Sequence, residues 1–538
     1  MAPGATHPAI TAGDLRTRLF IFADDSMQGR EAGTIGDVKG TNYLAAEARR
    51  IGLEPAGDNG TYFQTIPMVT RTPDTARTIT VGSTTLHYLR DYIPVPSFGF
   101  FPFGAAGSFD GAQAVFGGRL GTDSLIDPAQ AAGKVVVFLP PMAGTQPNFQ
   151  FWQGGGNEQL ARYSAAAGLA IASMDVSPPQ MAGFLSQPVE DLANGAVHSS
   201  GPLGMLVTST AARTMLGTDV NTAAIGVTGP ALGGGPGFNE TPVAYPARNV
   251  VGILRGSDPA RRNEYVAIGA HNDHIGIAEH PTDHDSIWAY DHVIRPGGAE
   301  DQPRQPTEQE AARIRQIIDS LRLVRPPRQD SIRNGADDDG SGSVTVLEIA
   351  EYFANQRPRP ARSLLFVWHT AEEKGLFGSQ YFTEHPSVPR DSIVAQLNMD
   401  MIGRGGAADI PGGGPAYMQL IGSRRLSTEL GDIVEAVNTN DHFNFDFDYQ
   451  FDADGHPANY YCRSDHYMYA RFGIPIVFFT TGSHPDYHML TDEPQYINYD
   501  KMSRVARFVA AVADSVANLD HRPVVDHPKP DPYGVCQQ

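Results

Sequence analysis

The sequence predicts an α/β protein: a mixed, mainly parallel sheet with helices on both faces, interrupted by a smaller β-rich domain. Three observations carry the prediction. In the second half, the short apolar runs NVVGIL, EYVAIGA, SLLFVWH, IVAQLNM, YMQLIG and IPIVFF read as buried strands. Between them lie segments of helical period, GSVTVLEIAEYFANQ, LSTELGDIVEAVNT and MSRVARFVAAVADSVANL. From about 76 to 240 the pattern changes. There TITV, LHYL, KVVVFLPP and GMLVTS alternate with glycine-rich connections such as GFFPFGAAGS, WQGGGN and GPALGGGPG.

In chain order, residues 1–75 supply two helical runs, DLRTRLFIFADD and TNYLAAEARRIGLEPAG, the second ended by Gly52 and Gly57. Residues 76–240 form the β-rich insert domain and 241–522 the main α/β domain. The proline-rich tail, 523–538, is expected to run extended over the surface, with Cys536 its anchor. A chain of 538 residues exceeds one ordinary core, and 41% apolar residues with 57 glycines and 41 prolines describe a loop-rich globular protein. A net charge of −20 argues against a nucleic-acid partner, since little here would neutralise phosphates. No run reaches the ~20 apolar residues of a membrane span. The N-terminus lacks the basic and apolar regions of a signal peptide. Cys462 and Cys536 either form one bridge or remain thiols.

The chemistry-bearing residues fall where strands give way to loops, and in open α/β sheets ligands bind at the carboxyl ends of strands. In GAHND, Asp273 stands two residues beyond His271, placed to orient an imidazole that binds metal through its other nitrogen. In GADDDGSG, flanking glycines present Asp338, whose two oxygens can bridge a pair of cations ~3.5–4 Å apart. In TAEEKG, two adjacent glutamates are costly to bury without a cation. Metal would take Glu373, leaving Glu372 to accept a proton from water. Asp400 ends the apolar run IVAQLNM, and His488 completes the set. The loop Arg463-Ser464-Asp465-His466 offers polar groups to a substrate, with His466 as pocket wall.

Together GAHNDH, GADDDGSG, TAEEKGLFGS, LNMD, RSDH and DYHMLTD resemble, in order, the signature segments of the co-catalytic zinc aminopeptidases. That family also includes glutamate carboxypeptidases and transferrin-receptor-like proteins. The intervals from Asp338 to Glu372 (34 residues) and Glu373 to Asp400 (27) are ordinary for it. GREAGT and GLEPAGDNGTYFQ look like the family's opening segment, and 76–240 like its inserted protease-associated domain. The resemblance implies two zinc ions (cobalt or manganese could substitute). One would sit on His271 and Asp400, the other on Glu373 and His488, with Asp338 bridging. It also implies Glu372 as general base, Asp273 as partner of His271, Tyr487 as oxyanion stabiliser and a cis peptide at Asp338–Asp339. The expected reaction is removal of an N-terminal residue from a peptide, by attack of a metal-bridging hydroxide on the zinc-polarised carbonyl. A secreted or periplasmic location is implied too, while a cytosolic one stays open.

The chain departs from the family between His271 and Asp338, which stand 67 residues apart instead of being joined by a short loop. The extra segment, about 277–333, contains His280, His284, His292 and a helical run, and reads as a surface elaboration or as a lid beside the site. Three other functions compete with the aminopeptidase. A carboxypeptidase or dipeptidase would need arginines for a carboxylate, with Arg404, Arg424 and Arg463 the candidates. A glutaminyl-cyclase-like transferase would use one zinc. A non-catalytic receptor-like relative would lack ligands that are all present here.

Overall fold

A computed structural model describes residues 6–96, 103–104, 107–143, 146–147, 156–177, 179–198, 201–534 and 536–538. The expected connections GFFPFGAAGS and WQGGGN lie largely outside the described residues. The chain divides into two compact units, one comprising Met1–Ile66 and Ala244–Pro532 with the last residues, the other chiefly Pro67–Val243. The first boundary thus falls ahead of the expected residue 76. The reason is pairing: Met68–Pro73 lies antiparallel to both Val189–Leu192 and Phe238–Pro242, so it belongs to the insert's sheet.

The larger unit is built on β1 (Ala247–Leu254), β2 (Tyr265–His271), β3 (Ser363–His369), β4 (Ile393–Met399), β5 (Tyr417–Ile421) and β6 (Ile476–Thr480). They are ordered β1-β3-β2-β4-β6-β5. The inner four, β3, β2, β4 and β6, are parallel, while β1 and β5 flank them antiparallel. The sheet is mixed and mainly parallel, as the apolar runs predict. Alternation along each strand separates two cores. Val266, Ile268 and Ala270 of β2 face one layer with Leu364, Phe366 and Trp368 of β3. Tyr265 and Ala267 face the other with Leu365 and Val367.

On the first face pack helices α1 (Ala12–Phe22), α2 (Ile35–Ile51), α5 (Gly342–Asn355), α6 (Thr428–Asn440) and α7 (Tyr499–Asn518). Short helices Phe377–Glu384 and His466–Ala470 cover the second. Helix α5 is almost wholly buried, which explains the apolar, β-branched content of GSVTVLEIA. Two further helices, α3 (His284–Ile294) and α4 (Glu308–Arg322), belong to the 277–333 segment, where Ile277–Asp283 pairs antiparallel with Gln329–Ile332. Thr307 and Glu310 form a capping box at the start of α4.

The smaller unit holds an eight-stranded sheet with a parallel centre: Gln113–Arg119, Val135–Leu139, Gly168–Ala172 and Leu203–Val207. The C-terminal tail has more than one anchor. Cys536 is bridged to Cys462. Thr428 N–H also donates to Asp526 Oδ1 (2.9 Å), and Tyr461 N–H to Gln538 Oε1 (2.9 Å).

Candidate metal centre

The carboxyl ends of the parallel strands gather the five expected ligands. His271 closes β2, Asp400 follows β4 by one residue, Glu373 lies just beyond β3, and His488 lies beyond β6. Asp338 comes from the irregular turn Ala336–Ser341 that precedes α5. His271 Nε2 is 3.0 Å from Asp338 Oδ1 and 3.6 Å from Asp400 Oδ1. His488 Nε2 is 2.9 Å from both Asp338 Oδ2 and Glu373 Oε2. Two donors each ~2.0–2.1 Å from a tetrahedral zinc stand about 3.3 Å apart. The donor distances are therefore compatible with metal binding. His271 Nε2 and Asp338 Oδ2 are buried and make no well-formed hydrogen bond within the chain, which also fits a cation at each atom.

The three consecutive aspartates do different work. Asp339 accepts from the N–H groups of His271 (3.1 Å), Gly342 (2.8 Å) and Met401 (3.3 Å), tying together the end of β2, the start of α5 and the loop after β4. Asp337 accepts from Gly403 N–H (2.6 Å) and faces His484 Nε2 at 3.2 Å. Only Asp338 is left to face the cluster, its own N–H held by Asp492 (3.1 Å). The Asp338–Asp339 peptide is cis, as the resemblance implies. Non-glycine residues with left-handed φ border the ligands: Ala371 (54°), Met401 (60°) and His488 (60°). Such backbone is held only where surroundings over-determine it.

Buried acids dominate the electrostatics of the cluster. Burial alone would lower the His271 pKa, yet Asp400, Glu372, Asp273 and Asp338 hold it well above its ordinary value. Burial pushes the Glu372 carboxyl well above the usual carboxylate range; His271 opposes this, and Asp400, Glu373 and Asp465 add to it.

Around the ligands, the expectations are met unevenly. Asp273 is adjacent to His271, but His271 Nδ1 lies closer to the Asp273 backbone oxygen (3.2 Å) than to its carboxylate (3.8 Å). The carboxylate instead accepts from Glu372 N–H at 3.0 Å, fixing the glutamate pair. Tyr487 stacks on His488, ring centres 4.0 Å apart, and its hydroxyl accepts from Arg463 Nη2 at 3.3 Å. Of the four residues expected to meet substrate, only Arg463 keeps appreciable exposure. Ser464 hydroxyl donates to Asp400 Oδ2 (2.8 Å) and accepts from Asn398 (3.0 Å), so it braces a ligand. Asp465 pairs with His369 at 3.3 Å beneath the site. His466 is no pocket wall: its ring is fully buried and stacks on Phe478 at 4.6 Å, because its short helix packs against β6.

Two residues escaped the sequence reading. His274 Nδ1 lies 2.7 Å from Glu373 Oε1, so a second imidazole meets that ligand. The doubled histidine of HNDH was the available signal. Arg30, from GREAGT, is fully buried and donates to the carbonyls of Phe22, Asn272, Asn334 and Gly335 at 2.6–3.1 Å. It joins the two loops that carry His271 and Asp338. Burial lowers its pKa to about 10, against the opposing charges of Asp492, Asp273, Asp338 and Asp339. A further buried cluster, His284, Asp330 and Glu493, sits at the base of the 277–333 segment. There Arg328 already supplies the cation, pairing with both carboxylates.

Residues 249–513 match the family model "Peptidase family M28". Leucine aminopeptidase 1 of Aspergillus niger is 30% identical over 196 residues, covering 34% of this chain and 46% of that protein. Leupeptin-inactivating enzyme 1 of Streptomyces exfoliatus is 40% identical over 84 residues, covering 15% and 19%. The matched stretches thus span about half or less of these curated relatives. Among solved structures, the aminopeptidase of Aneurinibacillus sp. strain AM-1 has a TM-score of 0.46 at 15% identity, covering 98% of this chain and 99% of that one. A zinc aminopeptidase of Bacillus subtilis has 0.44 at 14%, covering 94% and 95%.

Proposed function

Because residues 249–513 match the model of peptidase family M28, we propose that the protein is a zinc-dependent exopeptidase that removes the N-terminal residue of peptides. The observation that carries this reading is the convergence of two imidazoles on three carboxylates at 2.9–3.6 Å, with Glu372 adjoining. His271, Asp400 and Asp338 would hold one ion, and Glu373, His488 and Asp338 a second. When bound, zinc supplies Lewis acidity toward the peptide carbonyl and the attacking water. Glu372 takes the proton from that water and delivers it to the leaving amine. The Tyr487 hydroxyl, accepting from Arg463, keeps its own proton free to donate to the developing oxyanion.

An N-terminal rather than C-terminal preference is supported by the arginines a carboxypeptidase would need. Arg404 is held by Asp409 (2.8 Å) and Asp486 (2.9 Å), Arg424 by Asp432 (2.7 Å) and Glu435 (3.1 Å), and Arg463 by Glu300 (2.5 Å). The Pro67–Val243 unit is read as a protease-associated domain, on its position between the opening segment and β1. An oxidising, extracytoplasmic location is supported by the Cys462–Cys536 bridge. The test is a panel of aminoacyl anilides, free and N-blocked, with and without a chelator. Hydrolysis of free substrates only, lost on chelation and restored by zinc, is expected. Turnover of N-blocked substrates, or indifference to chelation, would refute the reading.

A further inference from the structure

The 277–333 segment reaches the candidate site by a close backbone approach. Ala299 N–H donates to Tyr487 O at 3.1 Å. Gly298, at φ +60°, leaves no room for a side chain: a Cβ there would lie 2.6 Å from Tyr487 O and 2.7 Å from His484 O. The turn is shaped by Asp301, whose carboxylate accepts from Gly297 N–H (2.7 Å) and whose carbonyl accepts from Arg295 Nε (2.9 Å). The docking delivers Glu300 to Arg463, Oε1 standing 2.5 Å from Nη2. That same Nη2 donates to the hydroxyl of Tyr487, the residue before His488. Arg463 is otherwise held by Ala458 O at 3.3 Å and lies 5.4 Å from the Tyr460 ring centre. The side chains of Arg463 and Glu300 keep 27% and 37% of their exposure, so the pair borders solvent beside the ligand cluster.

We propose that Glu300, carried in by the 277–333 segment, is a specificity-determining residue that withholds Arg463 from substrate carboxylates. The inference rests on the exopeptidase reading of the same site. A guanidinium matches a carboxylate with paired N–H donors. Arg463 Nη2 lies 3.3 Å from the hydroxyl of Tyr487, whose ring centre is 4.0 Å from that of His488, so the guanidinium stands beside the ligand cluster. A free Arg463 would therefore catch the terminal carboxylate of a dipeptide, or an acidic side chain just past the scissile bond. Glu300 fills that partner position and adds a repelling charge. The site so built favours longer peptides with a neutral second residue over free dipeptides.

The test compares a neutral dipeptide with its C-terminal amide, using zinc-loaded full-length enzyme. The wild type is expected to prefer the amide. In Glu300→Gln the acid-to-amide ratio of kcat/KM should rise tenfold or more, chiefly through a lower KM for the acid. The double variant Glu300→Gln/Arg463→Ala should lose that gain, and Glu300→Ala should reproduce it. An unchanged ratio in both single variants, or a parallel fall on both substrates, overturns the proposal and leaves Glu300 a docking residue. A wild type that hydrolyses neither the amide nor the acid overturns the exopeptidase reading and this proposal with it.

Discussion

At the scale of single residues, adjacent acids of one type have been given separate work. Glu373 stands 2.9 Å from His488, whereas Glu372 has its backbone fixed by Asp273 and its carboxyl raised by burial and neighbouring acids. Glu372→Ala should therefore retain metal while kcat falls by roughly 10²–10⁴, the usual contribution of a general base. Asp338→Ala should lose both, since it removes the oxygens facing both histidines. Metal content beside turnover distinguishes the two; a metal-free Glu372→Ala protein would contradict the assignment. Arg30 acts through the backbone. Its loss strands four buried carbonyls, so Arg30→Ala should cost about 3 kcal/mol or more in denaturant unfolding. Lysine should not rescue it, because one ammonium cannot reproduce the planar fork.

At the scale of elements, the site is made by strand ends and by the turn leading into α5. That turn holds its shape because Asp337 and Asp339 bind backbone from the loop after β4 and the end of β2, leaving Asp338 as the one that faces the histidines. The 277–333 segment is secured at both ends of the His488 loop: by Gly298 and Ala299 at Tyr487, and by His284 and Arg328 at Glu493. Gly298→Ala combines a left-handed φ with backbone overlap. It should cost more than about 1 kcal/mol and free the turn from Tyr487. Limited proteolysis should then cut near 295–301 faster than in the wild type; equal rates would show that the docking does not hold the segment.

At the scale of the whole molecule, the Cys462–Cys536 bridge closes a loop with a sequence separation of 74 and pins the tail to the larger unit. Loop-closure entropy puts its contribution at up to about 4 kcal/mol. Reduction, or Cys536→Ser, should lower Tm by several degrees without removing metal, a result readable by calorimetry beside metal analysis. The sequence by itself determined the parallel core, because buried strands and amphipathic helices write their burial into local periodicity. It also determined which residue types gather at the candidate site, because the motifs around His271, Asp338, Glu373 and Asp400 join a chemistry-bearing residue to a strand end or glycine turn. Only the tertiary structure decided what depends on packing between distant segments. Asp337, Asp338 and Asp339 are alike in sequence and differ only in which loops come to meet them. His466 looked available until its helix packed on β6, and Arg463 looked free until a turn 163 residues away brought Glu300 to it. Local patterning reports whether a residue is buried or exposed; which partner it meets there is a long-range property of the folded chain.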